Sequence, residues 1–113
     1  MPERRTVPRR KMAFYFQVLD AETRELFGHL TDVSIKGMLI DRPQPVQVGT
    51  QFNLRIQTPP GMADTEFIVF RVRSRWCKPD QIAPNVFNTG FEIVQMTPHD
   101  AEVFKSIIDA FAS

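Results

Sequence analysis

The sequence predicts an all-β fold, a six-stranded antiparallel barrel with one C-terminal α-helix, and three observations point there. Apolar and polar residues alternate with a two-residue period through several segments. Turn-forming residues separate those segments at short intervals, with no helical pattern between them. A 3.6-residue apolar period occurs only at the end of the chain. At 113 residues, with 42% apolar residues and ten Phe, the chain suffices for one core and one domain.

The first two strands are expected in "AFYFQVLD" and "ELFGHLTDVS", rich in aromatic and β-branched residues and joined by the polar loop "AETR". "GMLID" supplies a third strand, broken by "RPQP". In "QFNLRIQ", Phe52, Leu54 and Ile56 share one face, opposite Asn53, Arg55 and Gln57. "IVFRVRSRW" sets Ile68, Phe70, Val72, Ser74 and Trp76 against Val69, Arg71, Arg73 and Arg75. The arginine face reads as a solvated outer surface that also guards a strand edge against mispairing. "FNTGFEIVQM" is the sixth strand, with Phe91 and Ile93 inward, and "TPPGMAD" and "CKPDQIAPN" are the two long loops.

Thr97 is placed to cap a helix over about 98–112, with Pro98 at its first position and Asp100 in its first turn. Phe104, Ile107, Ile108 and Phe111 then form one apolar stripe, expected to pack on the barrel. The domain reading is a flexible basic arm over residues 1–11 and a barrel with its helix over 12–113.

Little in the composition favours catalysis. His29 and His99 lack a neighbouring ligand set at metal spacing, and Cys77 lacks an activating partner, so no catalytic or metal-binding residue and no cofactor are expected. One Cys, no secretory pattern and no apolar run near 20 residues give a cytoplasmic expectation without a membrane span.

Charge is concentrated. Residues 1–11 hold five Arg/Lys and one Glu, whereas the rest of this chain of net charge +1 carries nine basic and twelve acidic residues. Coating nucleic acid calls for positive charge spread over a face, so a small anionic ligand or a single docking event fits better. Within "RTVPR", Arg5 and Arg9 lie four apart, and Pro8 biases Val7 toward an extended backbone, leaving both guanidinium forks on an irregular arm. In "DVSIKG", Asp32 and Ser34 share a side if the segment is extended, and Gly37 either takes a positive φ or admits close approach to its backbone. An ordinary turn, capped by Asp and Ser and closed by Gly, is the simpler account of that stretch.

Taken together, the two stretches resemble the signature of the PilZ family, an RxxxR pair followed by [D/N]xSxxG, with Arg5, Arg9, Asp32, Ser34 and Gly37 at the five defining positions. The resemblance covers roughly residues 3–112 and implies a PilZ-type barrel that acts as a receptor for the bacterial second messenger cyclic di-GMP. It implies that Arg5 and Arg9 grip phosphate or the guanine Hoogsteen edge, that Asp32 accepts from guanine or orients an arginine, that Ser34 donates, and that Gly37 leaves room for the purine. Arg4 in that family accompanies binding of two stacked ligands. Arg10 is a further phosphate candidate, and Trp76 could stack on a base. The arm would order on binding and so switch contact with an unidentified downstream protein controlling motility, biofilm or exopolysaccharide. The alternatives are a PilZ-like interaction module without nucleotide, or a small barrel for single-stranded nucleic acid.

Overall fold

Six strands and a helix succeed one another along the chain: β1 (Arg10–Asp20), β2 (Leu26–Val33), β3 (Gly37–Arg42), β4 (Gln51–Gln57), β5 (Phe67–Pro79), β6 (Phe87–Gln95) and α1 (Pro98–Phe111). The computed structural model describes the backbone of residues 10–34 and 37–112, and within those spans the side chains from Phe16 onward. All neighbouring strands are antiparallel. Their order is β1-β2-β3-β6-β5-β4, and β1 pairs with β4 to close the barrel.

The two-residue alternation explains closure, because each strand has one face that must leave water. Val18, Leu30, Ile40, Leu54, Ile56, Ile68, Phe70 and Val72 are all buried and fill the interior. Toward one side of that core Phe27, Phe52 and Phe91 meet, with ring centroids 4.9 Å (Phe27–Phe52), 5.8 Å (Phe27–Phe91) and 6.0 Å (Phe52–Phe91) apart. Offset and edge contacts of this kind add to the burial of each ring.

The loop after β1 is held by Asp20, whose Oδ1 accepts the N–H groups of Glu22 (2.8 Å) and Thr23 (2.9 Å). Those donors hold the Asp20 carboxyl below its ordinary range. Ser74 performs a similar service inside the barrel. Its Oγ donates to Gln47 O at 2.7 Å and accepts from Thr50 N at 3.1 Å, which fastens the β3–β4 connection to β5.

Thr97 caps α1, with its Oγ1 accepting from Asp100 N at 3.1 Å and Pro98 at the helix start. Val103, Phe104, Ile107 and Ile108 are buried, Phe104 stacks on Phe70 at 6.0 Å, and half-buried Phe111 meets Phe16 at 5.4 Å. The helix stripe is therefore covered by the barrel, as the periodicity predicts. No helix among the described residues is long and apolar enough to cross a membrane.

Three details depart from the sequence expectations. β1 begins at Arg10, so Arg10 and Lys11 are ladder residues opposite Val33 and Asp32. β5 runs through Cys77, Lys78 and Pro79, which the sequence assigned to a loop, because β6 pairs with them as far as Phe87. Finally, β5 is hydrogen-bonded on both sides, to β4 and β6, so its arginine row guards no edge.

Truncating Ile107 to Ala, at the contact between helix and barrel, should cost about 2–5 kcal/mol, read as a lower urea midpoint. At the start of the same helix, His99 sits 3.1 Å from both Asp64 and Asp100 carboxylates, and these hydrogen bonds, that to Asp100 first, raise its pKa above the ordinary value. A raised histidine pKa contributes stability that is present in full below the unfolded value of about 6.5 and is lost as pH rises through the folded value. The melting temperature should therefore fall slightly across that window, and His99→Gln should remove this component.

Candidate functional site

A cleft of about 310 Å³ opens where the β2–β3 turn meets β5 and β6, lined by Asp32, Val33, Ser34, Gly37, Met38, Leu39, Arg75, Trp76, Gly90, Phe91 and Glu92. One wall is the turn. Ser34 N donates to Gly37 O at 2.9 Å, and Ser34 Oγ accepts Gly37 N–H at 3.3 Å. Ser34 thus fixes the turn while lining the cleft. Gly37 has an ordinary negative-φ strand conformation, and a Cβ there would overlap Phe91 O on β6. Its lack of a side chain first serves the close approach of β3 to β6.

The opposite wall is set by a β-bulge. Ser74 pairs with Phe91 and Trp76 pairs with Gly90, so Arg75 is an extra residue on β5. The insertion reverses the alternation: Ser74 is buried, whereas Trp76 is 36% exposed. Strict period-two reading placed Trp76 inward with Ser74, and the bulge corrects it. The indole lies over Gly90, where an added Cβ would run into Nε1, Cε2 and Cζ2 of the ring. Lys78 Nζ lies over the indole, 5.5 Å from its centroid, within cation–π range.

Across the cleft floor, Arg75 Nη1 is 3.1 Å from Glu92 Oε1, and Arg73 Nη1 lies 4.0 Å from the same oxygen. With Asp32 and Glu92 against Arg75, the described lining carries one more negative than positive group. Such a wall can accept hydrogen bonds from a base edge and stack a ring on Trp76, but a phosphate needs further cations.

Asp32, Ser34, Gly37 and Trp76, separated by up to 44 positions in the sequence, therefore line one site. Arg4, Arg5 and Arg9, and the arm's expected flexibility, lie outside the described residues, as does the side chain of Arg10. The backbone ladder nevertheless sets Arg10 beside Val33 and Lys11 beside Asp32, so the chain leading to Arg9 and Arg5 joins the barrel at the cleft rim. Glu92, Gly90 and Phe91 went unnoticed as site residues. Their placement depends on the β5–β6 register, for which a single sequence holds no local signal.

The PilZ domain family model matches residues 3–110. The chain belongs to the PilZ family. Among solved structures, this PilZ domain is similar to an inhibitor of motility from Bacillus subtilis, MotI/DgrA, with a TM-score of 0.70 and 17% identity over 96% of this chain and 52% of that one. It thus spans about half the length of that protein. It is also similar to the PilZ domain of YcgR from Escherichia coli, solved with cyclic di-GMP, with a TM-score of 0.68 and 17% identity over 96% of this chain and 92% of that one. At this identity the likeness concerns the fold. A search of curated proteins finds no match.

Gly90→Ala should push the indole off its seat. Because Trp76 is the only tryptophan, its emission should move to the red and the melting temperature should fall; unchanged emission would contradict the contact.

Proposed function

We propose that this PilZ domain is a cyclic di-GMP receptor, and that the cleft beside the β2–β3 turn is one half of its binding site. The carrying observation is the junction of β1 with that cleft: Arg10 pairs with Val33, one position from Ser34, and Lys11 pairs with Asp32. Five residues of chain reach at most about 18 Å, so Arg9 and Arg5 are both tethered within range of the same wall.

Electrostatics favours this division of labour. The described lining offers acceptors, an aromatic face and a deficit of positive charge. The ligand carries two phosphate charges and two guanines, and the arm carries five cationic side chains. Guanidinium forks bind phosphate or the O6/N7 edge of guanine bidentately, while Asp32 accepts from guanine or steadies an arginine. Arg4 and Arg10 extend the arm's capacity toward a second stacked ligand. Trp76 supplies the stacking surface.

Closure of the arm over the bound dinucleotide would create a composite surface, read by a downstream protein in the cytoplasm that acts on motility, biofilm or exopolysaccharide. The YcgR domain, solved with cyclic di-GMP on the same fold, and the motility inhibitor from Bacillus subtilis are consistent with that role.

Isothermal titration tests it directly. Cyclic di-GMP should bind in preference to GTP, cyclic GMP and oligonucleotides, and Arg5→Ala or Arg9→Ala should each weaken it by about 1–3 kcal/mol. Amide exchange of residues 2–11 should slow at saturation. Absence of binding at concentrations far above those of the cell would overturn the proposal.

A further inference from the structure

The outer face of β4 and β5 carries a second concentration of arginine, which only Arg75 shares with the ligand cleft. Arg55, Arg71, Arg73 and Arg75 lie on it, at alternate positions along β5 and next to Val69 across the β4–β5 ladder. Protection of a strand edge does not explain them, since β5 is paired on both sides. Two of the guanidiniums are held in place by neutral neighbours: Arg71 Nε donates to Asn53 Oδ1 at 3.0 Å, and Arg55 lies 3.9 Å over the Phe67 ring. Orienting a guanidinium in advance lowers the entropy lost when it meets a carboxylate.

The carboxylates nearby are already engaged. Glu92 is shared by Arg75 and Arg73, and Asp100 accepts from Val69 N at 3.0 Å and contacts His99. Among the described residues, Arg55 and Arg71 face no acidic partner. Val69 and Val94, 37% and 36% exposed, add aliphatic surface beside the charges.

We infer that this face docks an acidic segment of a protein partner, in extended conformation, with carboxylates at alternate positions and aliphatic side chains between them. Alternate residues on a strand repeat at about 6.6 Å and share a face, so an extended partner running along β5 presents its carboxylates at the spacing of Arg71 and Arg73, with the methylene stems of those acidic side chains against Val69 and Val94. β5 has no unpaired edge, so recognition is through side chains and not by adding a strand. A nucleic acid would match the charge but leave the valines against phosphate.

The inference stands on the face alone. It is tested on the full chain without cyclic di-GMP, so its outcome is separate from that of the ligand titration. The probe is a fluorescein-labelled peptide alternating Glu and Val, followed by anisotropy. The comparison probes are a peptide of the same composition with its glutamates grouped, and a labelled oligothymidine. The alternating peptide should bind most tightly, and the double substitution Arg55→Ser, Arg71→Ser should weaken it roughly tenfold with an unchanged melting temperature. Amide shifts on binding should gather at Asn53, Val69 and Arg71. No binding, equal binding of the grouped peptide, or equal binding by the variant overturns the inference. Tighter oligothymidine binding that is lost in the variant assigns the face to nucleic acid instead.

Discussion

Pairing of β1 with β4 is the constraint on which the molecule depends. Among the described residues three pairs make that seam, Val18 with Ile56, Leu19 with Arg55 and Asp20 with Leu54, and they turn a sheet with two open edges into a barrel. A filled interior sustains the seam, because Val18, Leu54 and Ile56 are buried in the same core as Ile40 and Phe91 from the far side. At the other end of β1, its antiparallel pairing with β2 sets Arg10 and Lys11 against Val33 and Asp32. That is where the basic segment and the Asp32–Gly37 turn become neighbours.

The cleft depends on departures from regular sheet geometry. A perfectly alternating β5 would bury Trp76 beside Ser74; the extra residue at Arg75 turns the indole outward. Gly90 beneath the ring and Gly37 beside the Phe91 carbonyl remove the two Cβ atoms that would keep the walls apart. The motif positions thus have a double duty. Ser34 and Gly37 close a turn by hydrogen bonding to one another and also form the surface that a ligand would meet.

Arginine serves two different purposes in this chain. Those before Arg10 lie on the segment that joins β1 at the cleft rim, while those of β4 and β5 stand on a fully paired sheet face, oriented by Asn53, Phe67 and Glu92. Net charge of +1 conceals this, because the acidic residues of the barrel cancel the arm in the sum. Glu92 touches both regions, through Arg75 in the cleft and Arg73 on the outer face.

The sequence by itself determined the six strands, the capped helix and the inward set, since period-two and period-3.6 burial and the Thr97–Pro98 cap are local properties of the chain. It also revealed the arginine pair and the Asp32, Ser34 and Gly37 turn as a recognisable combination. Only the tertiary structure decided that β5 continues to Pro79, that Trp76 faces the cleft and that Gly90, Phe91 and Glu92 stand beside Asp32. Those outcomes depend on the register between β5 and β6 and on a one-residue bulge within it. Register is a relation between segments far apart in sequence, set by which faces pack together once the barrel has closed.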